Sequence, residues 1–153
     1  MLVKDVLKNK GTTVITIKQD ETLCNLLELL TRKKIGSVIV YDDKNEIVGI
    51  ITEKDILKCF GDKENLKYLQ VKDYMTPKDK LIIATVEDDI QYAMNMMISH
   101  RIKHLPIFKD NKLFGIISIG DIVKAQLKQT QLRAKTYLDL LKGEVPQDKN
   151  LEF

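Results

Sequence analysis

Two seven-residue stretches place a hydroxyl and a carboxylate at a spacing that suits ligand chemistry. Gly49–Asp55 and Gly115–Asp121 share one pattern: glycine, two isoleucines, Thr or Ser, two variable positions and Asp. The apolar residues indicate a short buried strand, and the polar residues after them indicate the first turn of a helix. A helix N-terminus offers free N–H donors to an anion, and a carboxylate can accept hydrogen bonds from two vicinal hydroxyls. The motif therefore predicts a binding site for a nucleotide-like ligand, although the sequence has no glycine-rich phosphate loop.

The same residues also have a purely structural interpretation. Thr52 with Asp55, and Ser118 with Asp121, are capping boxes, in which the side chains satisfy free N–H groups at the start of a helix. The two interpretations are compatible, because a hydroxyl can cap its helix without ligand and contact a ligand when one is present.

The two motifs belong to a longer internal repeat. Val3–Leu7 returns as Val71–Met75, and the β-branched run Val14–Ile17 is matched by Leu81–Ala84, so that each copy has a lead-in segment and a predicted strand. Each copy then has an acidic or hydroxyl cluster that suits a helix start, followed by an apolar stripe at helical spacing. The stripes are Leu23, Leu26, Leu27 and Leu30 in the first copy, and Ile90, Ala93, Met94 and Met97 in the second.

A hairpin completes each copy. Val38–Tyr41 and Leu105–Phe108 are predicted strands, and Pro106 should lie at a strand start or an edge because it lacks an N–H. Turn-forming residues then lead into Ile47–Ile51 and Leu113–Ile117. The sequence thus predicts an α/β (α+β) fold of two β-α-β-β-α repeats, packed through their sheets with pseudo-twofold symmetry. The grooves between the repeats are natural binding sites.

We expect repeat 1 to span residues 1–61, repeat 2 to span 62–125, and a C-terminal helical extension with a loose tail to span 126–153. Gly61 is the expected end of the first repeat. The last helix of the second repeat should continue to Leu141.

The extension ends at two stop signals, Gly143 and Pro146, and the chain from Gln147 onward should be loose. Its apolar residues form a partial stripe at heptad-like spacing. The helix either folds back on its own domain or joins two copies into a homodimer, and we favour the second because the extension lies outside the repeat core. The stripe consists of Leu127, Ala134, Leu138 and Leu141.

Composition excludes several classes of protein. The net charge of +3 is too small to indicate nucleic-acid binding, and no apolar run is long enough to span a bilayer. Met1–Asp5 is charged where a signal peptide would be apolar, and Cys24 and Cys59 form neither a CxxC nor a zinc pattern. Since no nucleophile, base or metal cluster is recognisable, we expect a cytoplasmic protein that is not an enzyme.

With the repeat laid out, the sequence resembles the CBS-domain family, in which two tandem repeats form a Bateman module. The resemblance covers about residues 1–125 and rests on the two motifs, on Tyr74–Pro77 and on His100–Pro106. It implies a non-catalytic regulatory module that binds adenosine-containing ligands, most often AMP, ADP or ATP. NAD and S-adenosylmethionine are further candidates, and no cofactor is required. Such modules signal by conformational change to a partner protein.

The resemblance also implies two sites. In the family, the motif Asp holds the ribose hydroxyls, the Ser or Thr faces the ribose or phosphate, the adenine lies on the first strand of the opposite repeat, and a basic pair can reach the phosphates. The first site then joins Thr52, Asp55, Ile82, Lys103 and His104. The second joins Ser118, Asp121 and Ile15 with the pair Gly36 and Ser37.

The pair in the second site carries no positive charge, and Lys33 and Lys34 should decorate a solvated helix end. We therefore expect a phosphorylated nucleotide at Asp55 rather than at Asp121. A metal role for His100 and His104 is not favoured. The alternative function is a ligand-free adaptor or oligomerisation protein of the same fold.

Overall fold

The computed structural model describes residues 1–60 and 65–143, and this part of the chain forms six α-helices and seven strands. The mixed α/β fold with a C-terminal helix is as predicted. In chain order the elements are α1 (Val3–Lys10), β1 (Thr16–Lys18), α2 (Leu23–Lys33), β2 (Ser37–Tyr41), β3 (Ile47–Thr52), α3 (Glu53–Cys59), α4 (Val71–Tyr74), β4 (Thr76–Pro77), β5 (Ala84–Thr85), α5 (Ile90–Ser99), β6 (His104–Lys109), β7 (Lys112–Ser118) and α6 (Ile119–Leu141).

The strands form two sheets with matching topology. One sheet has the order β1-β2-β3-β4 and the other β5-β6-β7. In each, the first strand pairs parallel with the second, and the second and third form an antiparallel hairpin. β4 follows the first repeat in sequence but pairs with β3, beside Gly49 and Ile50. The predicted β-α-β-β-α order is present in both halves.

The helices between the strands begin where their capping residues predict. The Thr22 hydroxyl accepts the Asn25 N–H at 3.1 Å, and the Asp89 carboxylate accepts the Gln91 N–H at 2.7 Å. Three of the four stripe residues are buried on each helix, but Leu27 is 43 % exposed. The stripe is therefore narrower than predicted, and Leu27 is free to line a surface cavity.

The first strand of each repeat lies further along the chain than predicted. The sequence predicts a strand over Val14–Ile17, but pairing with β2 begins at Thr16. It predicts a strand over Leu81–Ala84, but pairing with β6 begins at Ala84. These strands are so short that their bounds depend on their partners rather than on their own β-branched residues.

Pro106 explains the later start of β5. In the first repeat the Ile39 N–H donates to the Ile15 carbonyl at 3.2 Å. Pro106 stands at the position of Ile39 and has no N–H, so it cannot donate to Ile82 in the same way. Pro106 lies inside β6 rather than at its start, but β5 pairs with β6 only from Ile107 onward. At Pro106, β6 is thus locally an edge.

Each lead-in segment packs on the opposite repeat. α1 contributes Val3, Val6 and Leu7 to the core of the second repeat, where all three are buried. The lead-in of the second repeat contributes Leu69 and Val71 to the core of the first. The backbone hydrogen bonds also repeat. The Val3 N–H donates to the Asp88 backbone carbonyl and the Val71 N–H donates to the Glu21 backbone carbonyl, both at 2.9 Å.

Both motif glycines lie under these lead-in segments. A Cβ at Gly49 would lie against the backbone carbonyl of Thr76 on β4, closer than a van der Waals contact permits. A Cβ at Gly115 would lie 3.0 Å from Leu7 Cδ2 on α1. Glycine at this position lets the lead-in segment approach the last strand of the hairpin.

α6 runs to Leu141 as predicted, and Gly143 follows it with a φ of 72°. Ile122 is the buried residue of this helix in the structure, so its distal turns project from the core. The predicted roles of Gly61, of Pro146 and of the tail from Gln147 lie outside the described residues.

We predict that Gly49→Ala destabilises the fold by about 1–3 kcal/mol, because the added methyl must displace the backbone of β4. Gly120→Ala is the matched control, since its Cβ would meet only Ser118 Oγ at 3.6 Å. That change should be neutral or stabilising by up to about 1 kcal/mol, as expected in a helix. Urea unfolding measures both, and equal stabilities of the two variants would contradict the prediction.

Candidate functional site

A groove of about 750 Å³ lies between the two repeats. The structure brings all five residues of the first predicted set to its walls. Thr52 and Asp55 come from the junction of β3 and α3, whereas Ile82 precedes β5, Lys103 precedes β6 and His104 begins it. The groove thus requires both halves of the chain.

Asp55 is only 4 % exposed and its carboxylate is hydrogen-bonded on both oxygens. Oδ2 accepts the Thr52 N–H at 2.9 Å and the Thr52 hydroxyl at 3.0 Å, and Oδ1 accepts Lys58 Nζ at 3.0 Å. The capping box predicted from the motif is therefore formed. A carboxylate offers about four acceptor sites, so Asp55 can still bind a further hydroxyl.

Cations outnumber carboxylates around this groove. Besides Lys103, its lining includes four cations that the motif analysis did not assign, against the two carboxylates of Glu53 and Asp55. The four are Lys54, Lys58, Lys80 and Arg101. A cleft with an excess of one sign of charge attracts ligands of the other sign, here anions. Arg101 could have been found from the repeat, since it aligns with Lys34.

Apolar side chains form the rest of the wall. Ile50 and Pro106 lie on the sheets, and Leu81 and Ile82 lie on the segment before β5. A mainly apolar wall with a few placed polar groups is typical of a site for a flat organic ligand.

His104 lies between the two repeats, close to Gly36. A Cβ on Gly36 would come within 2.8 Å of the imidazole, so the two residues are in contact. Burial lowers the pKa of His104; Glu53 and Asp121 oppose this shift, and the nearby cations Lys10 and Lys103 add to it. The ring is therefore held neutral at neutral pH.

The second predicted set is not gathered around one cavity. Gly36 and Ser118 line a smaller cavity of about 500 Å³, but Asp121, Ile15 and Ser37 do not. Ser37 is buried in β2, and the Ile15 carbonyl is engaged by Ile39. Lys34, expected on a solvated helix end, instead lines this cavity together with Lys103 and His104.

An unpredicted ion pair engages Asp121. Lys10 Nζ lies 2.6 Å from Asp121 Oδ2 and also donates to the Ile116 carbonyl at 2.7 Å. The carboxylate accepts the Ser118 N–H at 2.7 Å and completes the capping box. Burial opposes ionisation of Asp121, but the hydrogen bonds from Lys10 and Ser118 outweigh it and lower the pKa. Local sequence patterns could not indicate this pair, because α1 comes near Asp121 only when it packs on the second repeat.

Within residues 1–60 and 65–143, no three His, Cys, Asp or Glu side chains gather as a metal site. In the same ranges, no helix combines the length and the apolarity needed to cross a membrane. Cys24 is exposed and Cys59 is buried, and the two form no disulfide.

We predict that His104 makes the fold less stable as the pH falls below about 6.5, the ordinary pKa of an unfolded histidine. The unfolded chain then binds a proton that the folded chain takes up only at lower pH, so the stabilisation present above this pH is progressively lost. Urea unfolding at pH 7.5 and 5.5 should show a smaller loss for His104→Gln than for the unmodified protein. His100→Gln is the control at the other, exposed histidine, and an identical loss in all three proteins would refute the assignment.

Comparisons with known proteins agree with this architecture. The family model for the CBS domain matches residues 3–62 and 71–128. A mitochondrial CBS domain-containing protein of Arabidopsis thaliana is 34 % identical over 130 residues, which cover 80 % of this chain and 63 % of that protein. The chain thus spans less than two thirds of this relative.

Solved structures show the same fold. A CBS-domain protein of Agrobacterium tumefaciens superposes with a TM-score of 0.78 at 32 % identity, over 82 % of this chain and 99 % of that one. Two more distant neighbours were solved with ligands. The Pyrobaculum aerophilum protein, in complex with AMP, has a TM-score of 0.69 at 19 % identity, covering 79 % of this chain and 89 % of its own.

The second is the CBS pair of protein MJ0100, in complex with 5′-methylthioadenosine and S-adenosylmethionine. Its TM-score is 0.71 at 23 % identity, covering 84 % of this chain and 98 % of its own. With two matched repeats and the shared fold, this chain belongs to the CBS-domain family.

Proposed function

We propose that this protein is a non-catalytic regulatory module that binds an adenine nucleotide, AMP, ADP or ATP, in the Asp55 groove. The observation that carries the proposal is the groove itself. Thr52 and Asp55 from one repeat meet Ile82, Lys103 and His104 from the other around one cation-rich cavity. NAD and S-adenosylmethionine share the adenosine group and remain in the same ligand class.

Each part of the nucleotide has a matching group in the groove. Asp55 accepts the ribose hydroxyls, and Lys58, which is 63 % exposed, swings into water to free Oδ1. The adenine packs along Ile82, whose carbonyl receives no hydrogen bond from Pro106 and is available to the exocyclic amine. Lys103 and His104 donate to the phosphate, where charge-assisted bonds are strong.

The ligand-bound neighbours support the choice of an adenosine compound. One holds AMP, and the other holds 5′-methylthioadenosine and S-adenosylmethionine. All three ligands share the adenosine group, which is the part that Asp55 and Ile82 would recognise here.

Signalling follows from where the groove lies. A ligand that contacts both repeats favours the arrangement of the repeats that binds it best, and shifts the population toward that arrangement. The readout is a protein partner in the cytoplasm, with neither a membrane nor a nucleic acid as partner. No chemical step on the ligand is needed for this function.

The exposed end of α6 supports a homodimer. Leu127, Leu138 and Leu141 are 58 %, 56 % and 85 % exposed and follow one helix face with Ala134. A helix end without packing partners is marginal in water, since most helical stability comes from packing of an apolar face. A second copy can cover this stripe in a symmetric dimer.

The ligand-free adaptor is the second candidate, and one observation favours it. Both motif carboxylates already cap a helix and form an ion pair with a lysine. Under this alternative the motif only starts helices, and partner binding is independent of nucleotides.

For the nucleotide proposal we predict that saturating AMP, at 100 times its Kd, stabilises the fold by about 2.7 kcal/mol, or roughly 5–10 °C in melting temperature. Asp55→Ala should abolish this shift. Lys103→Ala should lower the affinity for AMP about tenfold but leave the affinity for adenosine unchanged, because only the phosphate contact is lost. Differential scanning fluorimetry and titration calorimetry measure these effects.

Lys33→Ala is the matched control, since this exposed lysine is outside both cavities, and it should bind AMP normally. Absence of a shift with AMP, ADP, ATP, NAD and S-adenosylmethionine would favour the adaptor. If Lys103→Ala lost affinity for AMP and for adenosine equally, Lys103 would have no role at the phosphate.

For the dimer we predict that Leu127→Glu with Leu138→Glu yields a monomer, because charges on the stripe cannot be buried between two helices. The control pair, Leu132→Glu with Leu140→Glu, changes equally exposed leucines off the stripe and should remain dimeric. Sedimentation equilibrium distinguishes the states. A dimer that survives the first pair would place the interface elsewhere.

A further inference from the structure

We propose that Lys10 blocks Asp121 as a ligand contact by holding its ammonium group where the ribose hydroxyls of a ligand would reach this carboxylate. The chain would then bind one adenosine ligand, in the Asp55 groove, rather than two. This inference rests on the proposed function and adds how the counterpart site is controlled. Its basis is the double contact of Lys10 Nζ, 2.6 Å from Asp121 Oδ2 and 2.7 Å from the Ile116 carbonyl.

The two motif carboxylates differ in the origin of their cation. Asp55 pairs with Lys58, three residues away on the same helix and 63 % exposed, and the carboxylate still lines the open groove. Asp121 pairs with Lys10, which comes from α1 and is 37 % exposed. A surface pair on one helix is worth little and breaks readily, whereas Lys10 is positioned by a helix docked on the second core.

A difference between the lead-in segments explains why only Asp121 carries a lysine from the lead-in. α1 remains helical through Lys10 and ends at Gly11, which has a φ of 94°. The equivalent α4 ends at Tyr74, because Pro77 disfavours the helical conformation of the residue before it. The chain continues instead as the extended β4. Lys78, the repeat counterpart of Lys10, forms no ion pair in the described part of the chain.

Asp121 lies next to a residue that borders an existing cavity. Ser118, whose N–H donates to Asp121, lines the cavity of about 500 Å³. Without Lys10, the carboxylate keeps its bond from the Ser118 N–H, and Oδ2 regains the acceptor site that Lys10 occupies. The ligand class is an adenosine compound, and the cations that line this cavity are Lys34 and Lys103.

Titration calorimetry with AMP, and separately with adenosine, tests whether Lys10 blocks Asp121. The unmodified chain should bind one equivalent of ligand, and Lys10→Ala should bind two. Lys8→Ala is the matched control on the same turn of α1; its side chain is 74 % exposed and lies 4.0 Å from Asp5, and this variant should bind one. Lys10→Met keeps most of the side-chain stem and removes the charge, so it tests the ion pair should the alanine variant fold poorly.

An Asp55→Ala background separates this inference from the proposed function. In this background, the protein with Lys10 intact should bind no ligand, and the double variant Asp55→Ala with Lys10→Ala should bind one equivalent. If the unmodified chain binds nothing but the double variant binds one, the Lys10 proposal stands and the Asp55 proposal fails. If the chain binds one equivalent with or without Lys10, or two with it, the Lys10 proposal is wrong and the Asp55 proposal survives. Absence of binding in every variant would reject both.

Discussion

The docking of each lead-in segment on the opposite repeat is the constraint on which the rest of this structure depends. Burying Val3, Val6 and Leu7 contributes on the order of 1.5–3 kcal/mol each, which together is comparable to the net stability of a small domain. Neither repeat therefore has a complete core without the other. The grooves lie between the two halves, so their geometry is fixed by the same contacts that fold the chain. Glycine at positions 49 and 115 serves this docking before it serves any ligand.

The sequence indicated the elements whose patterns are strong and local. Both hairpins, the helix starts at Thr22 and Asp89, and the long α6 were predicted because turn-forming residues, capping residues and stop signals act within a few residues. The first strands were misplaced because two or three residues cannot set their own register, and the missing N–H of Pro106 moved β5 further. The residues of the Asp55 groove followed from the repeat and the family resemblance, whereas the pair of Lys10 and Asp121 spans 111 residues and has no local signal.

Both repeats also share a turn that places a basic residue at a cavity. Lys34 and Arg101 occupy equivalent positions after α2 and α5, and both adopt left-handed backbone conformations, with φ of 54° and 53°. Such conformations are unfavourable for residues other than glycine and persist where the surrounding fold enforces them. Lys34 lines the cavity of about 500 Å³, and Arg101 lines the Asp55 groove. The sequence predicted that Lys34 decorates a solvated helix end, whereas the turn geometry, which needs coordinates, places both residues at the cavities.

A hydrogen bond at the strand-to-helix junction connects the groove to α6. The Ile119 N–H, in the first turn of α6, donates to the Lys103 carbonyl at 3.0 Å, and the Glu53 N–H donates to the Gly36 carbonyl at 3.1 Å in the other half. Lys103 therefore contributes its side chain to the Asp55 groove and its carbonyl to the start of the exposed helix. A phosphate that draws Lys103 toward the groove acts on the same backbone that orients α6. Because the distal part of α6 has no packing partner within the described chain, a small rotation at its base is amplified along its length. Under the proposed function, this hydrogen bond would be the physical link between nucleotide binding and the orientation of α6.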